Sequence, residues 1–354
     1  MRRVLTAATA GVLLLLAGCS SAASSSGPST SNSGSGSTAS AGTAATAPVT
    51  VRLGFLTNIT HASALVALKE GYFTKDLGSA GTIKATAFST GTEEETALLA
   101  GQLDVAYVGP NPAIDSWQKS NGTEIKIISG AAQGGASLVV KKGITSAAQL
   151  KGKSLATPSL GNTQDVAARW WLKQNGLTTN ATGGGDVSIK PTKPNSAAVD
   201  EFESGQIAGG YEPAPYDIEM ASDGGTVLLK ESGATTLIVV TQSFLSAHPA
   251  VVADLLKAQI QANDFIKSNT AAAEAATNAE LAEYTGKPLK SNLVSASFGE
   301  ITFTNDPDEI SLNQDAQQAT GLGLLAAVNL SGIFDLTPLN TALTAAGEQT
   351  ISGE

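Results

Sequence analysis

Cysteine occurs once in the 354 residues, at position 19, and histidine only twice. A single cysteine closes no disulfide within the chain, and one Cys with two His falls short of a zinc finger or ribbon. Arginine is nearly as scarce, at positions 2, 3, 52 and 169 alone, so a bidentate guanidinium clamp is hardly available to a ligand. Basic charge is in the minority, 21 Lys and Arg against 31 Asp and Glu for a formal net charge of −10. That sign is wrong for coating a phosphate backbone, so no nucleic-acid partner is expected. Past the first segment no apolar run approaches the roughly 18 residues of a spanning helix. What the chain does have, 42% hydrophobic and 15% charged residues, is the composition of a globular protein, and its length suits two or three lobes.

The front of the chain reads as an address. Arg2 and Arg3 precede an apolar or small stretch from Val4 to Ala17, too short to span a bilayer comfortably and built like a secretory signal. Leu16-Ala17-Gly18-Cys19 resembles a bacterial lipobox, which implies cleavage before Cys19 and a diacylglyceryl group on it. From Ser20 to about Ala47 the residues are almost wholly Ser, Ala, Gly and Thr. Such a stretch has nothing to bury and behaves as a flexible tether.

Beyond the tether, short β-branched runs alternate with helical patterns. Strands are expected at Val49–Phe55, Ile83–Phe88, Asp104–Val108 and Ile125–Ser129, and helices at Ala62–Glu70, Glu93–Ala100 and Pro112–Lys119. The chain extends again at Ser137–Lys141, and the alternation restarts. Strands at 154–157, 187–190, 208–211 and 226–229 are interleaved with helices at 163–174, 196–203 and 216–221. Thr235–Thr241 is a further strand, and the remainder reads as helical to the end. Alternation of this kind predicts α/β lobes with mostly parallel sheets. An internal echo links the two halves: Gly101-Gln102-Leu103, Tyr107 and Pro110-Asn111-Pro112 are answered by Gly205-Gln206-Ile207, Tyr211 and Pro213-Ala214-Pro215.

In open α/β sheets ligands sit beyond the carboxyl ends of strands. Three loops there run from a strand into a helix and carry hydroxyls and amides: Thr57-Asn58-Ile59-Thr60-His61, Thr90-Gly91-Thr92 and Leu160-Gly161-Asn162-Thr163-Gln164. Free N–H groups and the helix dipole favour an anion at such a start, although Asn and Thr also simply cap helices. Arg169, nearly two turns into its helix, reads as a solvated surface charge. Glu212 either accepts a hydrogen bond from a ligand amine or hydroxyl, or sits in the first turn of the next helix. Tyr107, Tyr211 and Tyr216 either line an apolar wall or are buried with satisfied hydroxyls. Gly134-Gly135 either lets backbone approach closely or makes a tight turn. Signs of catalysis are poor. His61 has no Ser and Asp arranged beside it. Asn305-Asp306-Pro307-Asp308-Glu309 lacks the glycine of a calcium loop and reads as a helix start, and Gly321-Leu322-Gly323 lacks the third glycine of a dinucleotide fingerprint. No metal or cofactor is expected.

Several of these segments occur in a recognisable order. Leu53-Gly54-Phe55, Asn58-Ile59-Thr60-His61-Ala62, Leu68-Lys69-Glu70-Gly71-Tyr72-Phe73, Ala100-Gly101-Gln102-Leu103-Asp104 and Tyr107-Val108-Gly109-Pro110-Asn111-Pro112 come first. Leu150-Lys151-Gly152-Lys153, Leu160 to Asp165, Glu212-Pro213 and Phe244 to Pro249 follow. The set resembles the solute-binding lipoproteins of nitrate, sulfonate and taurine ABC importers, most of all the aliphatic sulfonate branch. The resemblance implies a type II periplasmic-binding-protein fold, two lobes joined by two hinge crossings near Ser137–Lys141 and Thr235–Thr241. The expected divisions are a signal peptide over 1–18, a lipidated Cys and tether over 19–48, a first lobe of 49–140 and 238–354, and a second lobe of 141–237. It further implies a non-catalytic monomer, anchored by lipid on the outer face of the cell membrane. That monomer would capture a small anionic solute, a sulfonate or taurine, for a permease with its ATPase. Family binding positions fall on Asn58, His61, Thr90, Gly109, Asn111, Asn162, Thr163 and Glu212; neighbouring Thr60, Gly91, Tyr107, Gly135, Gly161, Gln164 and Tyr211 join them as candidates. Where many relatives carry Trp before the Glu-Pro pair, this chain has Tyr211. Other readings on the same fold are a receptor for nitrate or a thiamine pyrimidine precursor, and a pyrimidine-forming enzyme of thiamine biosynthesis.

Overall fold

A computed structural model describes residues 47–352. Cys19, the signal segment and all but the last two residues of the expected tether lie outside that range. The strands are β1 Val49–Leu56, β2 Gly81–Phe88, β3 Val105–Val108, β4 Ile125–Gly134, β5 Ala136–Val140, β6 Ser154–Thr157, β7 Ser188–Pro191, β8 Gly209–Pro213, β9 Thr226–Lys230, β10 Ala234–Thr241 and β11 Ile301–Phe303. The helices in the first two thirds are α1 Ala62–Lys69, α2 Tyr72–Leu77, α3 Gly91–Leu99, α4 Pro110–Lys119, α5 Thr163–Gln174, α6 Ser196–Glu203 and α7 Tyr216–Ser222. The rest are α8 Gln242–Ala247, α9 Pro249–Ser268, α10 Thr270–Thr285, α11 Ser291–Gly299, α12 Glu309–Gly321 and α13 Thr337–Ala346.

Two sheets share one plan. The first runs β11-β4-β10-β3-β1-β2 and the second β7-β6-β8-β5-β9. In each, a parallel trio (β2-β1-β3, and β7-β6-β8) is followed by a strand that pairs antiparallel on both sides. That strand arrives from the other half of the chain: β5 directly follows β4 of the first sheet, and β10 directly follows β9 of the second. Each lobe thus holds the strand that has just crossed from its partner, which is the type II arrangement expected. The echo around Tyr107 and Tyr211 has its structural basis here, since both tyrosines lie in the third strand of their trio.

The crossings sit slightly earlier than expected. Ser137–Val140 and Thr235–Thr241 lie in strands β5 and β10, buried along their whole length, the second being the strand read from the sequence. The chain leaves the first sheet after Gly134 and enters the second at Ala136, and it returns between Lys230 and Ala234. Continuous burial explains why these runs are β-branched without alternation, and each fully buried Leu, Ile or Val contributes about 1.5–3 kcal/mol. The turn chemistry lies just ahead of them, in Gly134 and Gly135, both in the left-handed region with φ of 71° and 70°, and in Ser232-Gly233. The crossings touch: Gly134 N–H donates to Gly233 O at 2.9 Å and Glu231 N–H to Ala136 O at 2.8 Å.

The C-terminal third is helical except for β11, which adds a three-residue edge to β4, and an irregular stretch over 322–336. Three residues with one neighbouring strand carry too little pattern to show in the sequence. Helices α9 and α10 return to pack on α1 and α2, so the first lobe takes in both ends of the described chain. Asp308 caps α12 by accepting from Ser311 N–H at 3.0 Å, which is the helix start expected of the 305–309 cluster. No helix among the described residues is long and apolar enough to cross a membrane.

Gly135 gives the fold a direct check. An added Cβ would stand 2.3 Å from Ile301 Cγ1, and an L side chain there is strained as well. Gly135→Ala should cost about 2–4 kcal/mol, read as a lower urea midpoint with unchanged slope.

Candidate functional site

Between the two sheets lies a closed cleft whose wall is built from strand-to-helix loops. Leu56, Asn58, Thr60 and His61 come from the β1–α1 loop, Ser89, Thr90 and Gly91 from the start of α3, Gly109 and Pro112 from the start of α4, and Pro158, Asn162, Thr163 and Gln164 from the β6–α5 loop. Asn195, Pro213 and Thr235 complete it. The enclosed volume is about 20 Å³, room for about one water. No Asp, Glu, Lys or Arg stands on this wall.

Local chemistry sets each loop. Asn58 Oδ1 accepts from Thr60 N–H at 3.0 Å and from Thr60 Oγ1 at 2.7 Å, closing the short 3₁₀ turn Ile59–His61. His61 is buried, and its Nε2 lies 2.9 Å from the Tyr107 carbonyl oxygen. A carbonyl only accepts, so Nε2 carries the proton and Nδ1 is the bare nitrogen beside Thr60 Oγ1 at 3.1 Å. Burial lowers the His61 pKa to about 3, against a smaller upward pull from the Tyr107 carbonyl. The ring is neutral and brings no charge to the cleft.

Thr90 Oγ1 caps α3 by accepting from Glu93 N–H at 3.3 Å. Gly91 lets α3 approach α4, since a Cβ there would stand 2.8 Å from Pro112 Cγ. Asn162 caps α5, accepting from Asp165 N–H at 3.0 Å, while its amide donates to Gln164 Oε1 at 2.8 Å. Starts of α3, α4 and α5, each eight residues or longer, converge on one small space. Their free N–H groups and dipoles make it a place for negative charge.

The lobes meet across this space. Asn111 N–H donates to Thr163 Oγ1 at 3.4 Å, and Gly109 is bare where a Cβ would stand 2.8 Å from that oxygen. Ile59 N–H donates to Ala214 O at 2.9 Å and Tyr216 Oη to Thr57 O at 3.2 Å. At the rim Lys193 pairs with Glu93 at 2.7 Å.

Of the expected residues, Asn58, Thr60, His61, Thr90, Gly91, Gly109, Asn162, Thr163 and Gln164 are brought together on the wall. The rest are not. Tyr107 is buried, its hydroxyl donating to Gln259 Oε1 at 2.7 Å, and Tyr211 donates to Glu231 Oε2 at 3.1 Å. Gly161 holds the α5 loop by donating to Asp165 Oδ2 at 2.8 Å. Gly135 lies in the crossing, and Asn111 contributes its N–H while its buried Oδ1 has no partner. Glu212 is not in the first turn of a helix and does not stand on the cleft wall. It lies in β8, fully buried, with no partner on either carboxylate oxygen, and burial with the nearby Asp217 and Glu201 charges pushes its pKa well above the usual range.

Arg169 is a correction. It is 1% exposed rather than solvated, and its Nε donates to Asp165 Oδ2 at 2.8 Å. Arg52 is likewise committed, its Nε donating to Asp104 Oδ2 at 2.9 Å, so neither guanidinium reaches the cleft. Sequence reasoning missed Ser89, Asn195 and Thr235. Asn195 opens α6 with its Oδ1 buried and unpartnered, and the Asn-Ser pair before a helical run was the signal for it. Thr235 sits at the start of β10 and had none.

Residues 44–280 match the NMT1-like family, more than half of the chain. The chain belongs to the NMT1-like family. The "Taurine-binding periplasmic protein" of Escherichia coli K12 is 27% identical over 209 residues, a match that covers 56% of this chain and 61%, less than two thirds, of that protein. Among solved structures, the alkanesulfonate-binding protein of Xanthomonas axonopodis bound to MOPS superposes with a TM-score of 0.67 at 17% identity, over 82% of this chain and 99% of that one. The nitrate-binding protein of Synechocystis gives 0.68 at 15%, over 84% and 89%. The aliphatic sulphonate-binding protein of Escherichia coli gives 0.63 at 18%, over 81% and 97%. At these identities the likeness is one of fold, and by name all four are binding proteins rather than enzymes.

His61 yields a pH signature. Between about 3 and 6.5 the unfolded chain takes up a proton at this ring that the folded chain refuses. The His61 contribution therefore weakens folding progressively as pH falls from about 6.5 towards 3, and is absent above it. The ring ¹⁵N shifts should stay constant from about pH 8 to pH 5 with the proton on Nε2; titration near 6.5 in the folded protein would contradict the assignment.

Proposed function

We propose that this chain is the extracytoplasmic solute-binding lipoprotein of an ABC importer, capturing a small anionic organic solute, an aliphatic sulfonate or taurine, in the cleft. One observation carries the reading: the starts of α3, α4 and α5 converge on a wall that bears no charged side chain. A sulfonate is fully ionised and weakly basic, so it needs no proton from the protein and is well served by fixed N–H dipoles and hydroxyls. Thr163 reaching Asn111 and Gly109 across the gap marks contacts available only when the lobes are together. A solute touching both sides would therefore favour the closed arrangement. The sulfonate- and taurine-binding names of similar proteins support the solute class, and those binding names weigh against the enzyme of thiamine biosynthesis.

In this reading the chain works as a monomer on the outer face of the membrane, held by a lipid on Cys19 through the Ser/Gly/Thr/Ala tether, and hands its solute to a permease with its ATPase. A second reading has a specific observation behind it. A cleft of about 20 Å³ favours an anion at the small end of the range, such as nitrate, over a longer alkanesulfonate.

Calorimetry and thermal shift on the full chain, with taurine, ethanesulfonate, nitrate and an aminopyrimidine, separate these. A sulfonate present at 100 times its dissociation constant should add about 2.7 kcal/mol of stability. Tighter binding of nitrate would move the assignment to the smaller anion, and binding of the pyrimidine alone would end the anion reading. Cys19→Ser should shift the protein from the membrane pellet to the soluble extracytoplasmic fraction; retention in the pellet would argue against the lipid anchor.

A further inference from the structure

A second cavity, of about 400 Å³, lies beside the crossings and away from the anion-favouring cleft, and its chemistry is the reverse. Aromatic rings form one side: Trp170 and Trp171 of α5, both half-buried, and Tyr211 of β8. The opposite side is α12 of the first lobe, which presents Asp315 and Asp308, and the crossing supplies Glu231. The walls thus come from both lobes and from the hinge between them.

Three carboxylates share this space, and they are not equivalent. Glu231 is partly satisfied: its Oε2 accepts from Tyr211 Oη at 3.1 Å, and its Oε1 accepts from the N–H groups of Ser232 and Gly233 at 3.0 and 3.1 Å. Asp308 caps its own helix. Asp315 accepts no hydrogen bond and forms no ion pair among the described residues. Two lysines are close, Lys230 on the cavity wall itself and Lys173 beside Trp170. Lys230 pairs with Glu300 at 2.6 Å, and Lys173 lies 5.5 Å from the Trp170 ring centre with its ammonium donating to Gly321 O. Asp315 is half-buried on the cavity wall, and desolvation there, with Glu231 and Asp308 close by, pushes its pKa above the usual range. Aromatic faces attract cations through their quadrupole, Trp most strongly, and do so best where water is thinned. Exposed Ile310 at the mouth, 59% accessible, adds an apolar edge suited to carbon substituents.

We propose that this cavity is a binding site for an organic ammonium ion, whose charge Asp315 neutralises with help from Glu231 and whose carbon shell packs on Trp170, Trp171 and Tyr211. An inorganic cation would leave the rings unused, and a neutral solute would leave Asp315 unpaired. The site stands apart from the anion reading, since none of its residues lines the cleft.

The probe is choline chloride, with 3,3-dimethylbutan-1-ol as its uncharged isostere. Two of the three tryptophans in the full chain line the cavity, so intrinsic fluorescence reports occupancy, and calorimetry gives the affinity. Choline should produce a saturable change and bind at least about tenfold more tightly than the isostere, with the gap narrowing as salt rises. Asp315→Asn keeps the shape, removes the charge and should weaken choline at least about tenfold while leaving the isostere unchanged. Trp171→Leu, which alters one wall and no carboxylate, should weaken both probes. Equal binding of the two, no saturable choline binding, or choline binding untouched by Asp315→Asn would overturn the proposal. With sodium chloride in excess in every titration the added chloride is matched, so failure here leaves the cleft reading intact, and the reverse also holds.

Discussion

A buried carboxylate, Asp165, organises the start of α5 and through it the cleft. It is 0% exposed and receives three donors: Arg169 Nε at 2.8 Å, Gly161 N–H at 2.8 Å and Thr157 Oγ1 at 3.4 Å. A charge taken that far from water is tolerable only when its partner and its hydrogen bonds are all in place. The same residue gives its own N–H to Asn162, so the loop from Thr157 to Asn162 is stitched to the helix it precedes. Thr163 is thereby held where it meets Gly109 and the Asn111 N–H. One pair, one helical turn apart, consumes one of the two arginines in the folded part and leaves neutral donors on the cleft wall.

Much of this was legible. The strand-to-helix alternation was read from β-branched runs and apolar spacing, and α5, α6 and β6 fall where the sequence put them. The three capped loops on the wall were likewise visible as hydroxyl and amide clusters at helix starts. What escaped was tertiary. Nothing in Ala168-Arg169-Trp170 says that its guanidinium turns inward to an aspartate one turn earlier, because an i, i+4 pair has the same spacing on a wet face and a dry one. The first-turn alternative for Glu212 fails because β8 runs two residues further than its apolar pattern and carries the side chain into the interior. Thr235–Thr241 was legible as a strand, but an extended run does not say which sheet it joins; the glycines ahead of β5 and β10 mark where the chain passes between sheets.

Asymmetry between the two cavities follows from where each is built. The cleft is framed by loops at strand ends, where backbone N–H groups point outward. The other cavity is lined by the sides of α5 and α12, by the first turn of α12 with its cap Asp308, and by Glu231 to Gly233 of the crossing. The α12 start is already capped there by Asp308, so carboxylates and rings, rather than free N–H groups, set the character of that space.

The shortness of the crossings limits what the halves can do. One residue on one side, Gly135, and three on the other, 231–233, with Gly134 bonded to Gly233, leave no slack for sliding; at about 3.3–3.6 Å per residue the sheets stay tethered at that edge. Swing about an axis through the joint is the freedom that remains, and displacement then grows with distance from it. A swing of that kind would move Tyr211 and Glu231, beside the joint, least, and would have to break the Lys193–Glu93 pair that ties the lobes elsewhere.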